Sequence, residues 1–306
     1  MPTDERVLTE AQREQFLTRG HVVLHDCFPR EVAQEMTAQA FVRLGYDPDD
    51  PATWEKSRIH MPTANRYPLQ EFAPKAWQAA CELLGGAERL KQPVNIGDGF
   101  IINFRDGQDK PWQPPSAQSP GWHKDGDWFL HFLDSPEQGL LTLILWSDIE
   151  PQGGGTFVAC DSVGPVARFL AAHPEGVAYA EGYTRFDFVP MLAECHDFIE
   201  CTGRAGDIVL LHPFMLHASS QNLSGTPRFL TNPCFSLQEP MNFNRANPDD
   251  FSLVEQAALR GLGVERLDFQ PAVSRERIVP ERERIQARML EEEKARLAAL
   301  SGATRP

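Results

Sequence analysis

Between about residue 94 and residue 237 the chain is a succession of short apolar runs cut apart by turn residues. GFIINF, DWFLHFL, LLTLILW, GTFVAC, VAYAEGYTRF, GDIVLLH and RFLTNPCFSL are separated by Gly, Pro, Asp and Asn. Runs of this length suit strands and are too short for helices. Their close spacing favours an antiparallel sandwich or barrel over a doubly wound parallel sheet. Residues 105–120 interrupt the series with four prolines and no apolar periodicity. Such a stretch is the form taken by a binding loop or lid, and equally by a surface excursion.

Helices flank this β-rich region. Thr9 and Gln12 make a capping box, Phe16 and Leu17 give an apolar face, and Gly20 is a stop signal. A short strand, VVLHDCF, follows, and a second helix is predicted from Pro29 through Met36, Ala40 and Leu44 to Gly45. Residues 46–70 read as irregular, and a third helix runs from Ala73 to Leu84 before Gly85-Gly86. Residues 280–300 form a charged helix with a thin apolar stripe at Ile285, Met289 and Leu297. That helix suits a cap on the barrel, a partner contact or a solvated rod. No repeat or strong linker is visible, so the expectation is one domain. It would comprise an extension over 1–93, a core over 94–237 and a helical extension over 238–306.

Charge narrows the partners. Lys plus Arg is 29 against 43 for Asp plus Glu, a net charge of −14. This is a poor match to nucleic-acid phosphates or anionic membranes. Hydrophobic residues make up 42% of the chain, which excludes wholesale disorder, and no apolar run approaches the roughly 20 residues that span a bilayer. The start, MPTDERVLTE, lacks the layout of a secretory leader, and the final ATRP is no recognisable address. Six scattered cysteines without a CxxC pair read as reduced thiols, not as a disulfide framework or zinc ribbon. The expectation is a cytoplasmic protein acting on a small molecule, with its oligomeric state open.

Nine histidines are present, and His21, His25, His60, His173 and His196 stand singly in contexts that suit structural or solvated roles. Two sites differ. In Trp122-His123-Lys124-Asp125, side chains two apart on a strand point the same way, so His123 and Asp125 would aim at one point. In GDIVLLHPFMLHASSQN, His217 follows a very apolar strand and needs a hydrogen bond or a metal. Two His and one carboxylate can form a facial triad on iron with three positions open, although zinc hydrolases use similar donors. Arg228, on the next predicted strand, has the planar fork that pairs a carboxylate bidentately, and Ser219 could add a hydroxyl. Gly153-Gly154-Gly155 lacks the Lys-Ser/Thr of a phosphate loop and reads as a turn. Trp112, Trp122 and Trp128 suit either a pocket lining or ordinary packing.

These residues carry a family resemblance. HKD at 123–125, His217 and Arg228 look like the Fe(II)/2-oxoglutarate-dependent dioxygenases. The stretch from Gly206-Asp207 through His212-Pro213, His217, Ser219 and Gln221-Asn222 to Arg228 resembles the phytanoyl-CoA dioxygenase branch. LTEAQREQFLTRGHVVLHDCF resembles that branch's opening, so the likeness covers roughly residues 8–45 and 94–237. It implies a double-stranded β-helix, a cupin-like jelly-roll barrel with flanking helices, using Fe(II), 2-oxoglutarate and O2. It also implies that His123, Asp125 and His217 are the iron ligands and that Arg228 and Ser219 hold the C5-carboxylate. Trp146 and Phe100 would border the cosubstrate, with Arg58 or His60 as a candidate further cation. His212, Gln221 and Asn222 would be supporting or packing groups. The expected reaction is hydroxylation of an unactivated C–H bond with release of succinate and CO2. The acidic charge and the absence of a basic patch between the ligands argue against a CoA thioester substrate, and Asp125 argues against halogenation. A metal-dependent hydrolase or isomerase, a non-catalytic iron/2-oxoglutarate sensor, and an interaction protein working through its last helix stand as alternatives.

Overall fold

In the computed structural model, residues 6–303 are described; the terminal residues 1–5 and 304–306, on which the leader and address readings partly rest, lie outside them. In chain order the elements begin α1 (Glu10–Arg19), β1 (His21–Leu24), α2 (Arg30–Leu44), β2 (Arg58–His60), β3 (Arg66–Pro68), α3 (Leu69–Phe72) and α4 (Pro74–Leu84). Then come β4 (Asn95–Gly97), β5 (Ile101–Asn103), β6 (Leu140–Leu145), β7 (Thr156–Ala159), α5 (Val163–Ala171) and α6 (Phe188–Ala193). The chain continues through β8 (Phe198–Cys201), β9 (Ile208–Leu211), β10 (Leu216–Ser219), β11 (Arg228–Thr231) and β12 (Cys234–Phe235) to α7 (Leu253–Leu262) and α8 (Glu281–Ala303).

The strands form a jelly-roll of antiparallel sheets. The major sheet runs β1-β9-β6-β11-β5-β2, with β12 beside β6, and the minor sheet runs β10-β7-β8. The region set apart as an N-terminal extension therefore supplies two strands of the major sheet: β1 pairs with β9, and β2 pairs with β5. The reason β1 starts where it does is local. Thr9 and Gln12 close their capping box, and Gly20 ends α1 in the left-handed conformation, at φ 65°. A Cβ on Gly20 would meet the Met215 side chain, so the turn needs both the glycine's backbone freedom and its lack of a side chain. Pro29 and Gly45 bracket α2 as the sequence suggests.

Two predicted strands do not form. DWFLHFL and VAYAEGYTRF make only isolated bridges, Phe129 to Arg277, His131 to Val177, and Val177 to Thr184. Phe129, Leu130, Phe132 and Leu133 are all buried, so this run lacks the alternation of a half-buried strand and packs as an irregular plug. Conversely, α5, α6 and β8 form in stretches for which no element is predicted from sequence.

Most of the buried apolar residues, from Leu8 to Leu259, make one core, with a small satellite cluster at Leu130, Phe132 and Ala178. An aromatic layer lies between the major sheet and the N-terminal helices: Phe229 meets Phe41 of α2, and Trp146 meets Phe28, Phe72 and Phe100. The last helix is held on α2 by a buried ion pair, Arg43 to Glu293 at 2.6 Å, and Arg43 also meets Asp98 at 3.1 Å. All six cysteines are free. Among the described residues no helix is long and apolar enough to cross a membrane.

Candidate active site

The backbone brings the two distant histidines together. His123 and His217 pair as an antiparallel bridge, each N–H donating to the other's carbonyl at 3.0 Å, which extends the minor sheet beyond β10. Their rings lie 4.3 Å apart between centroids. His123 Nδ1 sits 2.8 Å from the Gly121 carbonyl and His217 Nδ1 3.1 Å from the Met215 carbonyl. In each ring a proton on Nδ1 satisfies that carbonyl, leaving Nε2 with its lone pair free, the tautomer a metal ligand needs.

Both free Nε2 atoms lie 3.5 Å from the same Asp125 oxygen, Oδ1. The other oxygen, Oδ2, accepts from Asn232 Nδ2 at 3.1 Å. Burial pushes the Asp125 carboxyl up, but the attraction of His217 and His123 in their doubly protonated form outweighs it and holds it well below the usual carboxylate range; a bound metal takes the place of those Nε2 protons. The ligand atoms of His123, Asp125 and His217 all lie within 4.8 Å of one another. Two neutral imidazoles and one carboxylate, each oriented through its second polar atom, are a donor set that fits a divalent transition metal.

Strand register explains what faces this cluster. Directly opposed residues share a face, so Arg58, Asn103 and Arg228 form one row across β2, β5 and β11. His60, Ile101 and Leu230 form the next row. His60 and Ile101 line a cavity of about 500 Å³ together with His123, Asp125, Trp128, Gln138, Tyr179 and Arg282. The inner face of the major sheet thus looks onto the triad. Arg228 is 3% exposed and donates to the carbonyls of Gly154 and Ile101 at 2.8 and 3.1 Å. It has no carboxylate partner among the described residues. Burial, and then the neighbouring Arg58, draw its pKa down to about 9. A guanidinium kept dry without a counter-ion fits the far carboxylate of 2-oxoglutarate.

Ser219 lies two residues beyond His217 on β10, on the same side of the strand. It opens into a second, larger cavity of about 1080 Å³ that also holds Arg58, Arg105 and Gly121. Arg58 reaches Asp106 through Nη2, while its buried Nε has no partner.

Phe100 and Trp146 are not at the cosubstrate position expected for them. Trp146 hydrogen-bonds backbone to backbone with Phe229 and donates its indole N–H to Thr231 at 2.9 Å. Phe229 and Thr231 alternate with Arg228 on β11 and so face the opposite way. Both aromatics belong to the layer under the helices, on the far side of the sheet from Arg228. Of the three clustered tryptophans, Trp128 lines the cavity; Trp112 packs on Phe157, and Trp122 on Phe198.

The supporting groups have defined tasks. His212 accepts from the Phe214 N–H and packs its Nε2 against the Val254 carbonyl. Gln221 pins the proline-rich loop through Gly107, Pro111 and Gln113, and Asn222 ties to Asn103. Gly154, in the glycine turn, gives its carbonyl to Arg228. Sequence reasoning missed Asn232, Gln138, Tyr179 and Arg282. Asn232 carried a usable signal, a polar side chain just after the Arg228 strand, whereas the others reach the cavity only through tertiary folding.

The profile of the phytanoyl-CoA dioxygenase (PhyH) family matches residues 16–230, more than half of the chain. The chain belongs to that family. It is therefore an enzyme of the iron- and 2-oxoglutarate-dependent oxygenase type, and the family's jelly-roll agrees with the observed sheets. Solved structures similar in fold include EctD from S. alaskensis with 2-oxoglutarate and 5-hydroxyectoine, at 16% identity and TM-score 0.46, covering 77% of this chain and 78% of that one. HygX from Streptomyces hygroscopicus, with nickel and 2-oxoglutarate bound, is similar at 18% identity and TM-score 0.44, over 76% and 88% of the two chains. The carbocyclase SnoK from nogalamycin biosynthesis is similar at 13% identity and TM-score 0.46, over 76% and 86%. No curated protein matches the chain by sequence.

Proposed function

We propose that this protein hydroxylates an unactivated C–H bond of a small molecule, in a reaction that turns 2-oxoglutarate into succinate and CO2, with one atom of O2 entering succinate and the other the new hydroxyl. The observation that supports it best is the meeting of two tautomer-fixed imidazoles at one carboxylate oxygen. His123, Asp125 and His217 would hold the iron, three protein donors that leave it able to take the cosubstrate as well. When bound, iron and 2-oxoglutarate supply an oxidant able to take hydrogen from unreactive carbon.

The chain's own residues do the rest. The Gly121 and Met215 carbonyls keep both Nδ1 atoms protonated, so neither imidazole can turn its donor side to the metal. Asn232 occupies Asp125 Oδ2 and leaves Oδ1 for coordination. Arg228, with Ser219, holds the C5-carboxylate, and Arg58 adds positive potential on the same face. Ile101 and Leu230 give that face an apolar row that keeps water from the reacting carbon. Six free thiols suit a reducing, cytoplasmic setting.

The test is uncoupled turnover. Anaerobic protein should bind one equivalent of iron(II) and then 2-oxoglutarate. Admission of oxygen should yield succinate without added substrate, and His217→Ala should abolish both iron binding and succinate. Binding of both without any succinate favours the sensor alternative, and failure to bind iron refutes the proposal.

A further inference from the structure

The cavity over the triad is completed by a residue that lies well beyond the stretch matched by the family profile. Helix α8 is anchored by the buried Arg43–Glu293 pair, and Arg296 donates to the Arg43 carbonyl. Three turns before Glu293, on the same face of the helix, Arg282 lines the cavity that holds His123 and Asp125.

Arg282 is held from one side. Its Nε and Nη2 donate to the two oxygens of Asp127 at 3.1 and 2.7 Å, while Nη1 has only a long contact of 3.4 Å with Gln286. A guanidinium carries five N–H groups in a planar fork, so a bidentate carboxylate on one edge leaves a second edge available. Asp127 is thus a buttress that orients Arg282.

The other polar groups of the wall point to the same ligand chemistry. Gln138 is 1% exposed; its Oε1 accepts from Lys124 Nζ at 2.9 Å, and its Nε2 is buried without a partner. Several acceptors of the wall are already engaged, Asp127 by Arg282, Asp125 Oδ2 by Asn232, and the Tyr179 hydroxyl by the Lys124 peptide, which leaves the His60 ring and Asn232 Oδ1. The strongest unmatched groups of the wall are N–H donors, one of them on a fixed cation. A buried amide N–H left unmatched is costly, so the bound substrate must bring acceptors.

We propose that Arg282, held by Asp127, is a substrate-recognition residue that binds a carboxylate of the small-molecule substrate, with the Gln138 amide as a second donor. The inference rests on the oxygenase reading and makes the substrate class a small organic acid.

The test uses the full chain loaded with nickel(II) in place of iron and saturated with 2-oxoglutarate, so that nothing turns over. Matched probes are titrated calorimetrically: N-acetyl-L-leucine against N-acetyl-L-leucinamide, N-acetyl-L-tyrosine against its amide, and phenylacetate against phenylacetamide. The acid of at least one pair should bind about tenfold tighter than its amide. That preference should disappear in Arg282→Gln and weaken in Arg282→Lys and Asp127→Asn. It should persist in Arg277→Gln, a control on an exposed ion pair with Glu283. Nickel and 2-oxoglutarate affinities are measured in every protein. No preference in any pair for the wild type, binding of no probe included, overturns the proposal. So does a preference that survives Arg282→Gln, or a loss of nickel and 2-oxoglutarate affinity in that variant as large as the loss of probe. A wild type that binds neither nickel nor 2-oxoglutarate instead overturns the oxygenase reading itself.

Discussion

Replacing Arg228 with Met removes the charge while keeping an unbranched side chain of similar length. In the free protein two effects oppose each other. A base whose pKa is depressed on folding destabilises the fold at every pH below the folded value. The fall from 12.5 to about 9 corresponds to about 5 kcal/mol, as an order of magnitude, at neutral pH. Against this stand the two charge-assisted bonds to the Gly154 and Ile101 carbonyls, worth about 1.5–3 kcal/mol each. The net change should be small, within about 2 kcal/mol either way. Cosubstrate binding has no such compensation. Truncating one partner of a buried ion pair costs about 2–4 kcal/mol, which weakens 2-oxoglutarate about 30- to 700-fold. Calorimetric titration of the anaerobic, metal-loaded protein reads this directly. At a ligand concentration of about 100 times the wild-type Kd, the wild type gains about 2.7 kcal/mol of stability. A variant weakened about 100-fold gains only about 0.4 kcal/mol. A 2-oxoglutarate Kd within threefold of wild type, or an equal loss of metal affinity, would refute the assignment.

Three further perturbations separate the parts of the site from the parts of the fold. Asn232→Leu frees Asp125 Oδ2 and should weaken iron about 10- to 100-fold in a competition titration, with circular dichroism unchanged. Trp146→Phe removes the Thr231 bond and some packing and should cost about 1–2 kcal/mol in denaturant unfolding. The 2-oxoglutarate affinity of that variant should stay within threefold, because the ring faces away from Arg228. Glu293→Gln breaks the buried pair on α8. With Asp98 still beside Arg43 the cost should be about 3 kcal/mol, or a fall in Tm of about 5 °C by calorimetry.

Local chemistry made the helix boundaries legible: the Thr9–Gln12 box, Gly20, Pro29 and Gly45 act within one turn, and the structure uses each where the sequence places it. The β-rich core was legible as a class because turn residues fall at regular intervals. Its pairing was not, since neighbours such as β1 and β9 are set by tertiary contacts. The aromatic run 129–133 misled because uniform burial produces the same apolar string as a strand. His123 and Asp125 were readable as a same-face pair, whereas their meeting with His217 depends on a backbone bridge that no local pattern announces. Trp146 and Phe100 were misplaced by half a period: on a pleated sheet one step of register sends a ring to the opposite side. Arg282 lay in a charged helix whose sequence suited a cap on the barrel, a partner contact or a solvated rod equally well.

The pairing of β1 with β9 sets an order of events on the ribosome. The strand His21–Leu24 is made well before its partner in the sheet, Ile208–Leu211, with most of the jelly-roll between them. His217 follows later still, and Glu293, which locks α8 onto Arg43, later again. A nascent chain therefore carries β1 unpaired until β9 is made, and His123 and Asp125 without their third partner until His217 follows. What shields that strand during the interval, and not the stability of the finished fold alone, bears on how well this chain reaches its native state.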